Sequence, residues 1–121
     1  MDMDAINIEH KFSLFKEYWS PKILAELNGQ VVKIAKIKGE FIWHKHDEED
    51  EFFLVTRGSM VIKLRDRDIH LKQGEFAVIP RGIEHKPVAE EVAHILMFEP
   101  ASTINTGDVQ TELTQETNDW I

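Results

Sequence analysis

The spacing of apolar residues changes near Pro21 and divides the chain into two predicted parts. Four apolar residues before it recur at three- and four-residue steps: Ile8, Phe12, Phe15 and Trp19. This spacing predicts an amphipathic helix over about residues 6–19, packed against the rest of the protein. Asn7 is a suitable N-cap, and Ser20 ends the helix because a residue before proline disfavours helical geometry.

After Pro21 the apolar residues recur every second position, which is the period of a strand. Eight short segments share it: residues 22–28, 30–39, 51–58, 59–66, 68–74, 75–82, 84–89 and 92–100. Turn sequences separate them, including Asn28–Gly29, a strong hairpin signal, and Glu90–Glu91. Short strands with turns about every eight to twelve residues predict a β-sandwich or barrel, here over about residues 22–100.

The last segment, about residues 103–121, has no strong period and is rich in acids. We expect a loose tail, with packing against a second subunit as the alternative. The 121 residues together are expected to form a single domain, 1–121, with one core.

Charge and composition exclude several classes of protein. The chain has 14 basic and 22 acidic residues, a net charge of −8, and no basic stripe that would bind nucleic acid or an anionic membrane surface. It has no cysteine, so disulfides and thiolate metal sites are excluded. No apolar run is long enough for a signal peptide or a membrane span, and we expect a cytoplasmic protein.

The stretch GEFIWHKHDEEDEFF, residues 39–53, contains candidate metal ligands. In extended chain, residues two apart share a face, so His44 and His46 project together with Ile42. The same alternation places Glu51 with Phe53 at the start of the next strand. If these faces point inward, two imidazoles and a carboxylate converge in an apolar interior. An H-x-H pair alone is a weak signal, and a solvated acidic turn remains the alternative.

A bound cation would offset the cost of burying Glu51, since even a neutral unpaired polar group costs about 2–7 kcal/mol. Imidazole and carboxylate together suit Fe, Mn, Ni, Co or Zn. His85, after a turn shaped by Pro80 and Gly82, is placed to complete a set of three histidines and one glutamate. Octahedral coordination would leave two open positions. Asp50 has the opposite parity to Glu51 and is predicted to point outward.

These segments resemble the two sequence motifs of the cupin superfamily. The first motif is matched by a glycine, the H-x-H pair, the glutamate and a second glycine: Gly39, His44, His46, Glu51 and Gly58. The second motif is matched by a glycine, P-x-G and a histidine: Gly74, Pro80, Gly82 and His85. Gly39 is one residue closer to His44 than the motif has it, and Ala89 replaces the final asparagine. The resemblance covers about residues 31–99, and neither departure affects a ligand position.

The resemblance implies a double-stranded β-helix, the jelly-roll barrel of cupins, with a metal at one end and a short N-terminal helix added here. It implies a homodimer that binds a small molecule. It also implies a metal-dependent enzyme that acts on a small organic substrate, and an oxygenase is the favoured type. The alternatives are isomerase or lyase chemistry, including a sugar-isomerase-like protein, and a binding module without catalysis.

Alternation supplies further candidates for the site. His94 shares a face with Leu96 on the last long segment and is a candidate general base, although a packed histidine is the alternative. Phe53, Met60 and Leu96 are candidate substrate-binding residues that would line the pocket, and the same residues are compatible with ordinary core packing.

Overall fold

The structure, a computed structural model, describes residues 3–121 and consists mostly of strands. Its elements in chain order are α1 (Ile8–Phe12), β1 (Lys22–Leu27), β2 (Gln30–Glu40), β3 (Glu51–Arg57), β4 (Ser59–Leu64), β5 (Asp68–Lys72), β6 (Phe76–Ile79), β7 (His85–Pro100) and β8 (Asp119–Trp120). The predicted all-β class with a short N-terminal helix is confirmed. The hairpin at Asn28–Gly29 is also confirmed, because Leu27 and Gln30 pair directly across it.

The barrel is organised around β7, the longest strand. Along one edge β7 pairs with β2, and along its other edge it pairs first with β4 and then with β3. The remaining strands extend the sheet, giving the order β5-β4-β7-β2-β1-β8 with β6 joined to β3. Because β7 pairs with β2 along one edge and with β4 and β3 along the other, the sheet curls into a barrel with one interior.

The predicted break at Glu90–Glu91 is wrong, since β7 continues through it. The ladder with β2 shifts there: Ala89 pairs with Gly39, whereas Ala93 pairs with Ile37. More residues of β7 than of β2 occupy this interval, which is a β-bulge that bends the strand from β4 toward β3. The polar pair therefore marks a corner of the barrel rather than a turn.

Gly58 lies against this corner, at the point where the chain passes from β3 to β4. Its φ is 83°, and a Cβ at this position would lie only 3.0 Å from the carbonyl oxygen of Val92. A side chain here would push the β3–β4 turn away from the bulge of β7, which gives a structural reason for the second glycine of the first motif.

The N-terminal helix is shorter than predicted. Asn7 is the N-cap, and its side chain accepts a hydrogen bond from the His10 amide, but the helix ends at Phe12. Trp19 has a φ of 59°, and its backbone amide donates to the carbonyl of Lys36 in β2. Pairing with a neighbouring strand therefore replaces the last helical turns.

Two clusters of buried side chains hold the fold together. The larger fills the barrel and is contributed by the inward faces of β2 to β7. The smaller lies outside the barrel wall, where the N-terminal segment covers it: Phe12, Phe15, Leu24 and Ile34. The apolar stripe of the first segment packs against the barrel as predicted, with Ile8 at the edge of this outer cluster and Trp19 against the larger one.

The C-terminal segment is not the loose tail that we expected. β8 pairs in parallel with β1, and the side chains of Thr103 and Thr106 are buried. The order of this segment was not predicted because its contacts are made by scattered polar residues rather than by a regular apolar pattern. Within the described residues, no helix has the length and apolar character needed to span a membrane.

Candidate metal centre

The backbone joins the two predicted motifs directly. His44 and His85 form an isolated antiparallel bridge, in which each amide donates to the other's carbonyl at 3.0 and 2.9 Å. The amide of Gly82 donates to the carbonyl of His46 at 2.8 Å. Residues far apart in sequence are thereby held at one place in the barrel, and the side chains of the three histidines converge.

Four side chains form one buried cluster: His44, His46, Glu51 and His85. One potential ligand atom from each lies within 4.8 Å of the others, and every residue of the set is at most 4% exposed. Glu51 lies between two imidazoles, with Oε1 3.1 Å from His85 Nε2 and Oε2 3.2 Å from His46 Nε2. The structure therefore brings together all four predicted ligands.

Hydrogen bonds outside the cluster fix the orientation of two rings. His44 Nδ1 is 2.9 Å from the carbonyl oxygen of Ile42, and His85 Nδ1 is 2.9 Å from that of Ile83. A carbonyl can only accept, so each Nδ1 carries a proton, and each Nε2 is the ring nitrogen that faces the cluster and is left to bind a cation. This arrangement is typical of metal-binding histidines.

The electrostatics of the cluster keep two of its ligands, His44 and Glu51, in the forms that bind a cation. Burial, aided by the neighbouring His85, lowers the pKa of His44 to about 4, so that its imidazole is neutral near pH 7. Burial would raise the pKa of Glu51, but the imidazoles of His46 and His85 hold it well below its usual range. Burial also opposes a charge on His46, yet the carboxylates around it, above all Glu51, raise its pKa.

A metal ion fits this donor set. His46 is buried, and neither of its ring nitrogens has a partner with hydrogen-bond geometry, although Glu51 is close. Such an unsatisfied polar group is expected where another species binds. Three imidazole nitrogens and one carboxylate suit a divalent transition metal. The cluster can therefore hold a metal ion.

A cavity of about 40 Å³ adjoins the cluster, and His44 and Glu51 form part of its wall. Most of the other lining side chains are apolar, among them Ile37, Phe41, Phe53, Ile95 and Met97. Phe41 occupies the inward position that the alternation assigned to Ile42. The volume is enough for a few water-sized groups. Half-buried Trp19 and Asn105 also line the cavity and mark its end nearest to solvent.

Two charged side chains in the cavity wall were missed by sequence reasoning. Lys33 of β2 and Glu99 of β7 are 2% and 3% exposed, and Lys33 Nζ lies 3.7 Å from Glu99 Oε1. Burial, with the nearby Glu51 carboxylate, raises the pKa of Glu99 to about 8. Strand alternation could have indicated that Lys33 points inward, since Lys33 shares its face with Ala35 and Ile37.

The remaining predicted site residues lie on both the inner and the outer face of the barrel wall. Phe53 lines the cavity, whereas Met60 belongs to the barrel core and is not part of the cavity wall. On β7 the inward residues are odd-numbered from Ala93 to Glu99, so His94 and Leu96 point outward. The placement of His94 and Leu96 at the cavity is therefore corrected.

His94 packs against the N-terminal helix. Its ring stacks on Phe12 with a centroid distance of 4.1 Å, and Leu96 borders the same outer cluster. Asp50 points outward, as predicted: it is exposed, and its Oδ1 accepts a hydrogen bond from the Arg81 amide.

Comparison with known proteins agrees with this fold and site. Residues 30–99 match the family Cupin_2, described as "Cupin domain", and this is more than half of the chain. The protein therefore belongs to the cupin superfamily, as the two motifs indicated.

Among solved structures, the chain is similar to a cupin-2 domain containing protein from Shewanella frigidimarina. The two are 48% identical with a TM-score of 0.78, and the alignment covers 78% of this chain and 93% of the other. Among curated proteins, it is 34% identical over 64 residues to the uncharacterized protein YdbB of Bacillus subtilis, covering 52% of this chain and 57% of YdbB.

A further relative has a named activity. The chain is 29% identical over 90 residues to 3-hydroxyanthranilate 3,4-dioxygenase of Xenopus laevis. The alignment covers 69% of this chain but only 32% of the frog protein. The chain thus spans about a third of that enzyme.

Proposed function

We propose that this cupin is a metal-dependent enzyme of the oxygenase type that acts on a small organic molecule. The observation that carries the proposal is the buried cluster of three histidines and one glutamate at the wall of a mostly apolar cavity. Similarity to a named dioxygenase supports it. Of the metals that suit the donor set, iron is favoured, with manganese next.

A bound ferrous ion would supply a site at which dioxygen and a substrate oxygen are activated side by side. The chain's own residues create the conditions for that chemistry. His44 and His85 are held by carbonyls in the tautomer that binds metal, and Glu51 supplies a negative charge. The apolar wall formed by residues such as Phe53 and Ile95 excludes water around the site.

Isomerase or lyase chemistry is a second candidate, in which Glu99 of the cavity wall rather than the predicted base would have to move the proton. It requires an acid–base residue next to the substrate, and His94, which was expected in that role, points away from the cavity. A binding module without catalysis is the other alternative. The homodimer and the cytoplasmic location stay predictions.

Oxygen uptake tests the proposal. Protein loaded with Fe(II) under anaerobic conditions is mixed with air-saturated buffer and a panel of small carboxylates, diketones and phenols that includes 3-hydroxyanthranilate. We expect substrate-dependent oxygen consumption with incorporation of ¹⁸O₂ into the product, and its loss in His46→Ala. Iron-loaded protein that consumes no oxygen with any of these compounds would favour the binding module.

A further inference from the structure

Lys33 and Glu99 form a second polar centre in the cavity. They lie on neighbouring strands, and Glu99 pairs with Val31, two residues from Lys33, so that the two side chains are diagonal neighbours on the inward face. Both line the same cavity as His44 and Glu51. A ligand in this cavity would therefore contact the metal cluster and this charged pair together.

The pair is incomplete as a structural ion pair. The distance of 3.7 Å between Lys33 Nζ and Glu99 Oε1 exceeds the 2.7–3.2 Å range of a good hydrogen bond. Glu99 Oε2 is buried and has no partner at hydrogen-bond geometry, although the Thr103 hydroxyl is near enough to lower the pKa of Glu99 slightly against its overall rise. Buried ion pairs stabilise a protein only when their remaining hydrogen bonds are made, so this arrangement is costly without a further partner.

We propose that the Lys33–Glu99 pair recognises a hydrogen-bond donor on the ligand, a hydroxyl or amino group, while an oxygen of the same ligand reaches the metal. This inference rests on the proposed metal site and deepens it by naming a substrate class. The class is small molecules in which a hydroxyl or amino group is close to a carboxylate, carbonyl or phenol oxygen. Glu99 Oε2 accepts the donor, while Lys33 Nζ lies 3.7 Å from Oε1 of the same carboxyl group.

The dimensions and charges of the cavity support this class. Lys33 and Glu99 line the same small cavity as His44 and Glu51, so the donor and the metal-bound oxygen belong to neighbouring parts of the ligand. The cavity of about 40 Å³ holds only a few heavy atoms. A larger substrate would place its polar end here and extend past Trp19 and Asn105.

Glycolate and acetate are suitable probes because they differ by one hydroxyl group. Their affinities for Co(II)-loaded protein are measured by calorimetry and by the cobalt absorption spectrum. In the wild type we expect glycolate to bind more tightly than acetate. In the double variant Lys33→Met/Glu99→Leu, which leaves neither partner buried alone, we expect the ratio of affinities to fall about tenfold, near the upper end for one hydrogen bond.

Lys22→Met is the matched control. Lys22 is also buried and pairs with a carboxylate, Asp119, at 3.6 Å, but it does not line the cavity. This variant should keep the wild-type ratio. If the double variant does not fold, Glu99→Gln, which keeps the shape of the side chain, should lower the ratio in the same direction.

Three results would overturn the proposal: neither probe binds the wild type, glycolate has no advantage there, or the advantage survives in the double variant. Cobalt content must be the same in all variants, which separates this test from the metal site itself. Oxygen uptake reports on the proposed function independently. A protein without oxygenase activity whose glycolate preference depends on Lys33 and Glu99 would retain this inference and lose the other.

Discussion

The amide of Asp108 donates a hydrogen bond to the carbonyl of Lys45 at 3.0 Å, and the Lys45 amide donates to Asp108 Oδ1 at 3.1 Å. Lys45 lies between His44 and His46, so this reciprocal pair ties the C-terminal segment to the loop that carries two metal ligands. Gly107 contacts the same loop, and a Cβ there would overlap the Lys45 carbonyl oxygen. The C-terminal segment therefore helps to position the cluster.

Gly107→Ala should lower metal affinity. The new methyl group would displace the Lys45 carbonyl and with it His44, whose ring carbon Cδ2 would lie 3.1 Å away. We expect a loss of about tenfold, at the lower end of the effects of residues that support metal ligands. Competition with a chelator of known affinity measures it.

The matched control for this variant is Gly29→Ala. Gly29 also has positive φ, 77°, but a Cβ there would have open space around it and would contact no part of the loop that carries His44 and His46. Both variants pay a similar backbone penalty of about 1 kcal/mol, whereas only Gly107→Ala moves the loop. Equal metal affinities in the two variants would show that the C-terminal segment does not position the ligands.

His94→Ala should destabilise the protein and leave the site intact. The substitution removes the ring that stacks on Phe12, and we expect the free energy of unfolding to fall by about 1–2 kcal/mol. Chemical denaturation of the variant, together with its metal content and turnover, tests the packing role. His94→Phe keeps a stacked ring and should recover most of the stability. Loss of turnover at unchanged stability would return His94 to a catalytic role.

Metal affinity should fall as the pH falls. In the metal-free protein the carboxylates near His46, Glu51 above all, raise its pKa above the usual value of 6.5, against the effect of burial. His44, with a pKa of about 4, competes for protons only in much stronger acid. Below the pKa of His46 a metal must displace its proton, so affinity should drop about tenfold or more per pH unit. Chelator competition at several pH values measures this, and a pH-independent affinity between about pH 5 and pH 6.5 would contradict it.

The sequence was informative where structure depends on local spacing. Alternation is a property of the extended backbone, so it predicted most strands and the inward direction of Glu51 and Phe53. The four ligands were found because two motifs have fixed internal distances. The bulge of β7 at Glu90–Glu91 was read as a turn, since polar residues at a barrel corner and in a loop look alike. Because the strand was read as broken there, the inward alternation that starts at His85 was not continued to His94, which it places on the outer face.

Other features depend on contacts between distant segments. The helix does not reach Trp19 because Tyr18 and Trp19 pair with Lys36 of β2, a partner that helical spacing cannot reveal. Lys33 and Glu99 have inward parity, but charged side chains are so rarely buried that alternation alone does not predict it. The order of the C-terminal segment comes from single contacts such as that of Asp108 with Lys45. None of these contacts produces a periodic pattern in the sequence.

The most direct test of the metal site is elemental analysis of the purified protein beside His46→Ala, with His70→Ala as an exposed-histidine control. The wild type and the control should each carry close to one transition-metal ion per chain, whereas His46→Ala should lose it, because removal of one of four ligands opens the site. Full retention of the metal in His46→Ala would contradict the buried cluster as the metal site.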